Sequence, residues 1–282
     1  MKAFCPLLSA FLALAFAASA QTVVVDAVQY PAWLERGGNA VPLTPGLQLE
    51  SRDRLRTGAN ARVQLKLAEG SAVKLGENAQ FVIERAEDRG TFRAALSVIS
   101  GAFRFTSGAY GTSRAREVGI KVKNVTVGIR GTDLWGKSTA ERDWVVLLEG
   151  RISVGSEGHP TVALDQPLAW YQKPRDAAPE ISRADPNTVA EWARETDLST
   201  DGAAARAGGR WRTVAAAKPK RDEAMALSRL LRRAGFPAEV VAKEGYFVVQ
   251  VPNLAGEAEA RALMSAIRDV PGVALPTVHE GP

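Results

Sequence analysis

Between Thr22 and about Leu168 the sequence switches between polar and apolar residues at almost every step, in short β-branched runs that end at glycines. A period of two puts alternate side chains on opposite faces of a strand, so each run has one buried and one wet face. Arg62-Val63-Gln64-Leu65-Lys66-Leu67 alternates in this way, Glu69-Gly70 turns, and Ala72-Val73-Lys74-Leu75 alternates again before Gly76. That pattern reads as a hairpin with one apolar face. The same grammar recurs at 81–83, 94–98, 102–105, 120–127, 144–148 and 152–154, with turns expected at Gly101, Gly131 and Glu149-Gly150. Many short strands at this spacing predict an all-β domain over residues 21–170, built as a sandwich, a roll or a short solenoid.

Residues 171–209 are rich in Pro, Ala, Asp and Arg and read as a linker. One short helix is expected inside it, because Asp185 is a capping residue and Pro186 suits the first helical position. Val189, Trp192 and Ala193 would then share a face, with Trp192 packing the helix onto the β domain.

From residue 210 to 280 the chain repeats itself. Trp211, Thr213 and Ala215 correspond to Phe247, Val249 and Val251, 36 positions later, as alternate positions of a strand. Glu223-Ala224, Leu227 and Leu231 correspond to Glu259-Ala260, Leu263 and Ile267 on a helix. Helix ends are expected at Gly235 and Gly272, and strands at 238–242 and 273–278. The apolar stripes Leu227, Leu230, Leu231, Ala234 and Ala260, Leu263, Ile267, Val270 recur at helical steps. Two such halves predict a small α+β domain of βαββαβ, ferredoxin-like order, with both helices on one face of the sheet and the other face open.

At the amino terminus, Met1-Lys2, an apolar run from Ala3 to Ala18 and the small residues Ala18-Ser19-Ala20 have the order of a cleavable signal peptide, residues 1–20. Export to the periplasm of a Gram-negative bacterium is the expectation, with no membrane span after cleavage. Cys5, the single cysteine, leaves with that leader, so the mature chain has no thiol chemistry and no disulfide. Lys and Arg outnumber Asp and Glu by 36 to 31. That mild excess favours anionic surfaces without selecting one. Nucleic acid is not an expected partner, and no cofactor or metal is expected.

The repeated C-terminal unit resembles the SPOR domain. The likeness rests on the strands Trp211-Arg212-Thr213-Val214 and Tyr246-Phe247-Val248-Val249-Gln250-Val251, with a Glu-Ala pair opening each helix. The resemblance implies binding to peptidoglycan glycan strands. On the open face Arg212, Val214, Tyr246, Val248 and Gln250 are the candidate glycan-binding residues, Tyr246 by stacking on a sugar and Arg212 and Gln250 by hydrogen bonds. Ordinary solvent-facing sheet residues are the alternative.

The β domain resembles the FecR family. The residues carrying that likeness are Asp53-Arg54-Leu55-Arg56-Thr57-Gly58, Glu69-Gly70-Ser71, Val127-Gly128-Ile129-Arg130-Gly131-Thr132-Asp133-Leu134 and Leu148-Glu149-Gly150. The resemblance implies a periplasmic domain that relays a signal through an envelope protein partner. Within the motif Gly128, Arg130, Gly131, Thr132 and Asp133 have two readings: a structural one, with Arg130 paired to Asp133, and a functional one, with Arg130 as an anion ligand. The Thr57-Gly58 step reads as a turn, since no helix start follows it to cradle a phosphate.

His159 and His279 have no neighbours at metal-ligand spacing, and no nucleophile motif is present. A carboxylate pair drawn from Glu69, Glu149 and Asp133 is the remaining catalytic option, and it ranks last. The leading expectation is a non-catalytic peptidoglycan-binding protein whose β domain holds a protein or ligand. The alternative is an envelope signalling protein related to sigma-factor regulators.

Overall fold

A computed structural model describes residues 22–108 and 116–281, so the expected leader lies outside the described residues. These are mostly β. The first part comprises β1 (Val23–Gln29), β2 (Ala32–Arg36), β3 (Asn39–Pro42), β4 (Gln48–Leu49), β5 (Arg54–Thr57), β6 (Arg62–Leu67), β7 (Ala72–Leu75), β8 (Gln80–Arg89), β9 (Thr91–Thr106), β10 (Arg116–Val122), β11 (Val125–Ser138), β12 (Arg142–Ser156) and β13 (Val162–Leu164). There follow β14 (Ala169–Pro174), β15 (Glu180–Arg183), helix α1 (Pro186–Arg194), β16 (Ala204–Arg206), β17 (Trp211–Lys218), α2 (Arg221–Arg233), β18 (Glu239–Lys243), β19 (Tyr246–Leu254), α3 (Glu257–Ile267) and β20 (Thr277–Glu280).

The period-two runs bury the face they should. In the antiparallel β6–β7 hairpin Val63, Leu65, Leu67, Val73 and Leu75 are buried. With Leu55, Phe81, Ile83, Phe92, Phe103 and Phe105 they belong to one apolar cluster. Removing this much apolar surface from water is the main favourable term in folding.

The expected turns at Gly101, Gly131 and Gly150 are not turns. Each glycine lies inside a long strand, β9, β11 and β12 respectively, at φ values of 86°, 64° and 87°. A glycine at positive φ bends a strand while the ladder resumes beyond it. In the β11–β12 pair, Ile129 faces Ile152 before the bend and Thr132 faces Gly150 after it. β9 likewise changes neighbours: its first half pairs with β8 and, in parallel, with β10, and its second half with β7 and β11. The run 120–127 departs from expectation in the opposite sense. It is split between β10 and β11 by a tight turn in which Lys123 has φ 48°.

Residues 171–209 carry regular structure. β14 pairs with β12, β15 with β14, and β16 with β1. Helix α1 begins at Asp185, whose carboxylate accepts hydrogen bonds from the backbone N–H of Asn187 at 2.9 Å and of Thr188 at 3.0 Å. Trp192 on this helix stacks on the buried Trp135, centroids 5.2 Å apart, and also meets Trp144 and Trp170. Loss of the cap in Asp185→Ala is expected to cost about 1 kcal/mol, seen as a small fall in the midpoint of urea unfolding.

In the C-terminal unit four strands form the antiparallel order β20-β17-β19-β18. Ala224, Leu227 and Leu231 of α2 and Ala260, Leu263 and Ile267 of α3 are buried in the core. Leu230, expected on the buried stripe, is 41% exposed instead, one residue round from Leu231. Helix α3 stops at Ile267, short of Gly272, and Val270 lies in the following turn, still packed against the core.

The two parts are joined along β16. Ala205 pairs with Val28 of β1 on one side and with Leu254 of β19 on the other. Nearby, the Trp33 indole N–H donates to the Arg233 carbonyl at 3.1 Å, and Tyr30 meets Phe236 edge to face. One apolar cluster runs through both parts.

Candidate functional site

The glycines of the Gly128–Asp133 stretch have steric reasons to be there. A Cβ on Gly150 would stand 2.0 Å from the Gly131 carbonyl oxygen, so the bent β11 and β12 touch backbone to backbone. Thr132 secures the bend: its hydroxyl donates to the Arg151 carbonyl at 2.9 Å and its N–H to the Ser107 hydroxyl at 2.9 Å. Asp133 is not the partner of Arg130. Its carboxylate accepts a two-pronged hydrogen bond from Arg104, at 2.9 and 2.7 Å, and one from Thr106 at 3.3 Å. Arg104 lies on β9, and Asp133 directly faces Thr106 in the β9–β11 ladder, so cross-strand register rather than sequence proximity chose the pair.

Arg130 is exposed and lies at the edge of a groove of about 690 Å³. Arg85, Arg116 and Arg151 also line it. The groove exists because small residues succeed one another across five strands: Ala95 faces Gly119, Gly119 faces Gly128, Gly128 faces Ser153 and Ser153 faces Ala163. Two carboxylates stand nearby. Glu117 is bound to Arg93 at 2.9 Å, and this hydrogen bond holds its carboxyl below the ordinary value. Asp165 is 3.5 Å from Arg151. A second depression, of about 560 Å³, adjoins the same row at Gly119, Gly128 and Ser153 and carries Lys121 and Lys123.

The other candidate residues fall into separate places. Thr57 is buried, its hydroxyl donating to the Gly76 carbonyl at 2.7 Å and accepting from the Ala79 N–H at 2.8 Å, so it braces β5. Asp53 is buried under the Arg36 guanidinium, with contacts of 2.7 and 2.6 Å. Glu149 is exposed on β12, where it faces Asp133 in the ladder.

Glu69 is buried at the β6–β7 turn, and burial pushes its carboxyl above the ordinary value, opposed by the nearby Ser71 hydroxyl and Arg116. An acid with a raised folded pKa penalises the fold when ionised; the penalty vanishes below the unfolded pKa and grows as pH rises through the folded one. Glu69→Gln is therefore expected to raise the melting temperature at pH 7 and to lose that advantage near about pH 4, where free carboxyls protonate. Melting curves across pH check this.

On the C-terminal sheet Val214 faces Gln250, Val248 faces Val241, and Tyr246 faces Lys243. Tyr246 is 53% exposed, and Gln250 donates to Glu239 at 2.8 Å. Arg212 faces His279 and donates to the Gly281 carbonyl. The five candidate residues alternate with the buried Thr213, Val249 and Val251, which face the helices. Val241 and Glu239 belong to the same face and escaped the sequence reading, as did Arg85, Arg116 and Arg151 of the groove. The β18 residues could have been found from their own alternation, but the groove arginines come from β8, β10 and β12 and had no local signal.

Residues 53–153 match the FecR protein family. The matched stretch runs from the residue before β5 into the second half of β12. It contains the bend glycines and all four groove arginines, and it ends before the C-terminal unit. No curated protein matches the chain. Among solved structures, two of a candidate anti-sigma factor from Parabacteroides distasonis are similar. One is 12% identical with a TM-score of 0.42, covering 50% of this chain and 64% of that one. The other is 12% identical with a TM-score of 0.43, covering 78% and 91%. The chain thus spans less than two thirds of the first.

Proposed function

We propose that this is a non-catalytic envelope signalling protein, exported to the periplasm, whose FecR-type domain engages a protein partner in the manner of sigma-factor regulators. The observation that carries the reading is the FecR match over residues 53–153. It favours signalling over wall attachment, the reading that the SPOR resemblance places first. The engagement of Asp133 by Arg104 supports a binding role over carboxylate chemistry, because of the two carboxylates that face each other in the β11–β12 ladder one is already held in an ion pair. No helix among the described residues is long and apolar enough to cross a membrane. Deleting the gene should change a discrete group of transcripts, restored by the wild-type chain. An unchanged transcript profile would sink the proposal.

Wall docking is kept as a second reading because the strand order β20-β17-β19-β18 supports the ferredoxin-like, SPOR-type assignment and because Tyr246, Val248, Gln250 and Val214 share one face. Co-sedimentation with purified peptidoglycan tests it. Retention that falls in Tyr246→Ala with Gln250→Ala keeps the reading, and equal retention of wild type and variant removes it.

A further inference from the structure

We infer that the arginine-lined groove across β9 to β13 is the docking site for a short acidic segment, partly apolar, of a protein partner. This rests on the proposed partner-binding role of the FecR-type domain and names the chemistry of what it takes.

The outward face here is built in rows. The small residues Ala95, Gly119, Gly128, Ser153 and Ala163 form its floor. Two positions along each strand on one side stand Arg93, Glu117, Arg130, Arg151 and Asp165. Arg93 neutralises Glu117, and Arg151 lies beside Asp165. Arg85, Arg116 and Arg130 are in no direct ion pair with another described residue; Arg85 acts at longer range on Glu117 and Arg116 on Glu69, and the lining as a whole, four arginines against Glu117, keeps an excess of positive charge. The side chains of Ala94, Val118 and Ile152 lie in the core, so the apolar character of the floor comes from Ala95, Gly119, Gly128 and Ala163.

Charge complementarity selects the occupant. Guanidinium groups present a planar fork that matches a carboxylate with two parallel hydrogen bonds. A volume of about 690 Å³ lies within the ~300–1,000 Å³ of ligand clefts, room for a short segment rather than a domain. Glu117 and Asp165, set among the arginines, oppose a uniformly anionic surface such as a lipid bilayer. A peptide places its carboxylates at chosen points and its apolar side chains on the floor between them.

The test uses the mature chain and a fluorescein-labelled synthetic peptide in which glutamate alternates with valine, against the same peptide with glutamine for glutamate. Two variants address the groove. Arg130→Glu reverses an exposed charge. Gly119→Leu fills the groove, because a Cβ at Gly119 meets no atom closer than the Val127 carbonyl at 4.0 Å and the backbone there has no positive φ. Arg229→Glu, on the exposed side of α2, is the control for general electrostatic attraction. The acidic peptide should bind, more weakly as salt rises, and both groove variants and the glutamine peptide should bind about tenfold or more weakly, as expected for loss of charge-assisted hydrogen bonds. Equal binding of the two peptides, or equal losses in Arg229→Glu and Arg130→Glu, would overturn the inference. So would binding to phosphatidylglycerol vesicles that is lost in Arg130→Glu while the acidic peptide does not bind, which assigns the groove to lipid. Transcripts that respond to gene deletion but not to Arg130→Glu or Gly119→Leu overturn the groove and spare signalling, whereas groove binding with an unchanged transcript profile does the reverse.

Discussion

Alanine at Gly150 is expected to cost about 3 kcal/mol or more, combining the strain of a non-glycine residue at positive φ with a backbone collision. For a chain of this size that corresponds to a fall of roughly 6–12 °C in the melting temperature. The reason is local and has no flexible way out. Gly150 has φ 87°, and a Cβ built on it would lie 2.0 Å from the Gly131 oxygen and 3.1 Å from the Thr132 Cα, all backbone atoms. Relief requires β11 and β12 to separate at their bend, which would also stretch the Thr132 hydroxyl from the Arg151 carbonyl. Gly158 is the comparison, since it has φ 74° but nothing within 4 Å of its Cβ position. Gly158→Ala bears only the conformational term, about 1 kcal/mol. Thermal unfolding of both variants separates the two contributions, and similar losses would show that the close approach at Gly131 carries no energy.

That bend also shows how far the sequence is legible. Alternation identified the buried faces of Val63, Leu65 and Leu67 and the C-terminal repeat, because period-two and helical patterns are local and each residue declares its own side. The glycines were legible as interruptions but not as bends. A positive-φ glycine in a hairpin turn and one in a long strand look alike until the partner strand is known, and the ladder resumes after Gly131 only because β12 bends with it at Gly150. Register hid the rest. Asp133 found Arg104, 29 residues away, rather than Arg130 beside it. β16 is Ala204-Ala205-Arg206, with no strand-like pattern, and it is extended because β1 and β19 offer their edges on either side. Such context outweighs intrinsic preference for a strand. The groove belongs to the same class: Arg130 was recognised as a potential anion ligand, whereas Arg85, Arg116 and Arg151 reach it only through the pairing of β8 to β12.

Asp143→Ala is expected to be as damaging as the Gly150 substitution, at about 3–5 kcal/mol, because it strands a partly buried cation. Asp143 is fully buried, on β12, and receives both Nη1 and Nη2 of Arg175, the latter at 2.8 Å, together with the Asn124 N–H at 3.2 Å. Arg175 further donates to the carbonyls of Thr139 and Ala140, so the pair ties the end of β14 to the β11–β12 turn and to the β10–β11 turn at once. Without the carboxylate, the guanidinium keeps its desolvation penalty and loses its counter-charge. Asp143→Asn keeps an acceptor for Asn124 and should lose less. The decisive comparison is the double variant Asp143→Ala with Arg175→Met, which removes the stranded charge together with its partner. Urea unfolding of the wild type, Asp143→Ala, Arg175→Met and the double variant gives the coupling energy directly. A double variant more stable than Asp143→Ala alone is the expected result, since most of the single loss comes from the unpaired cation; a strictly additive cycle would mean that the two side chains stabilise their turns independently.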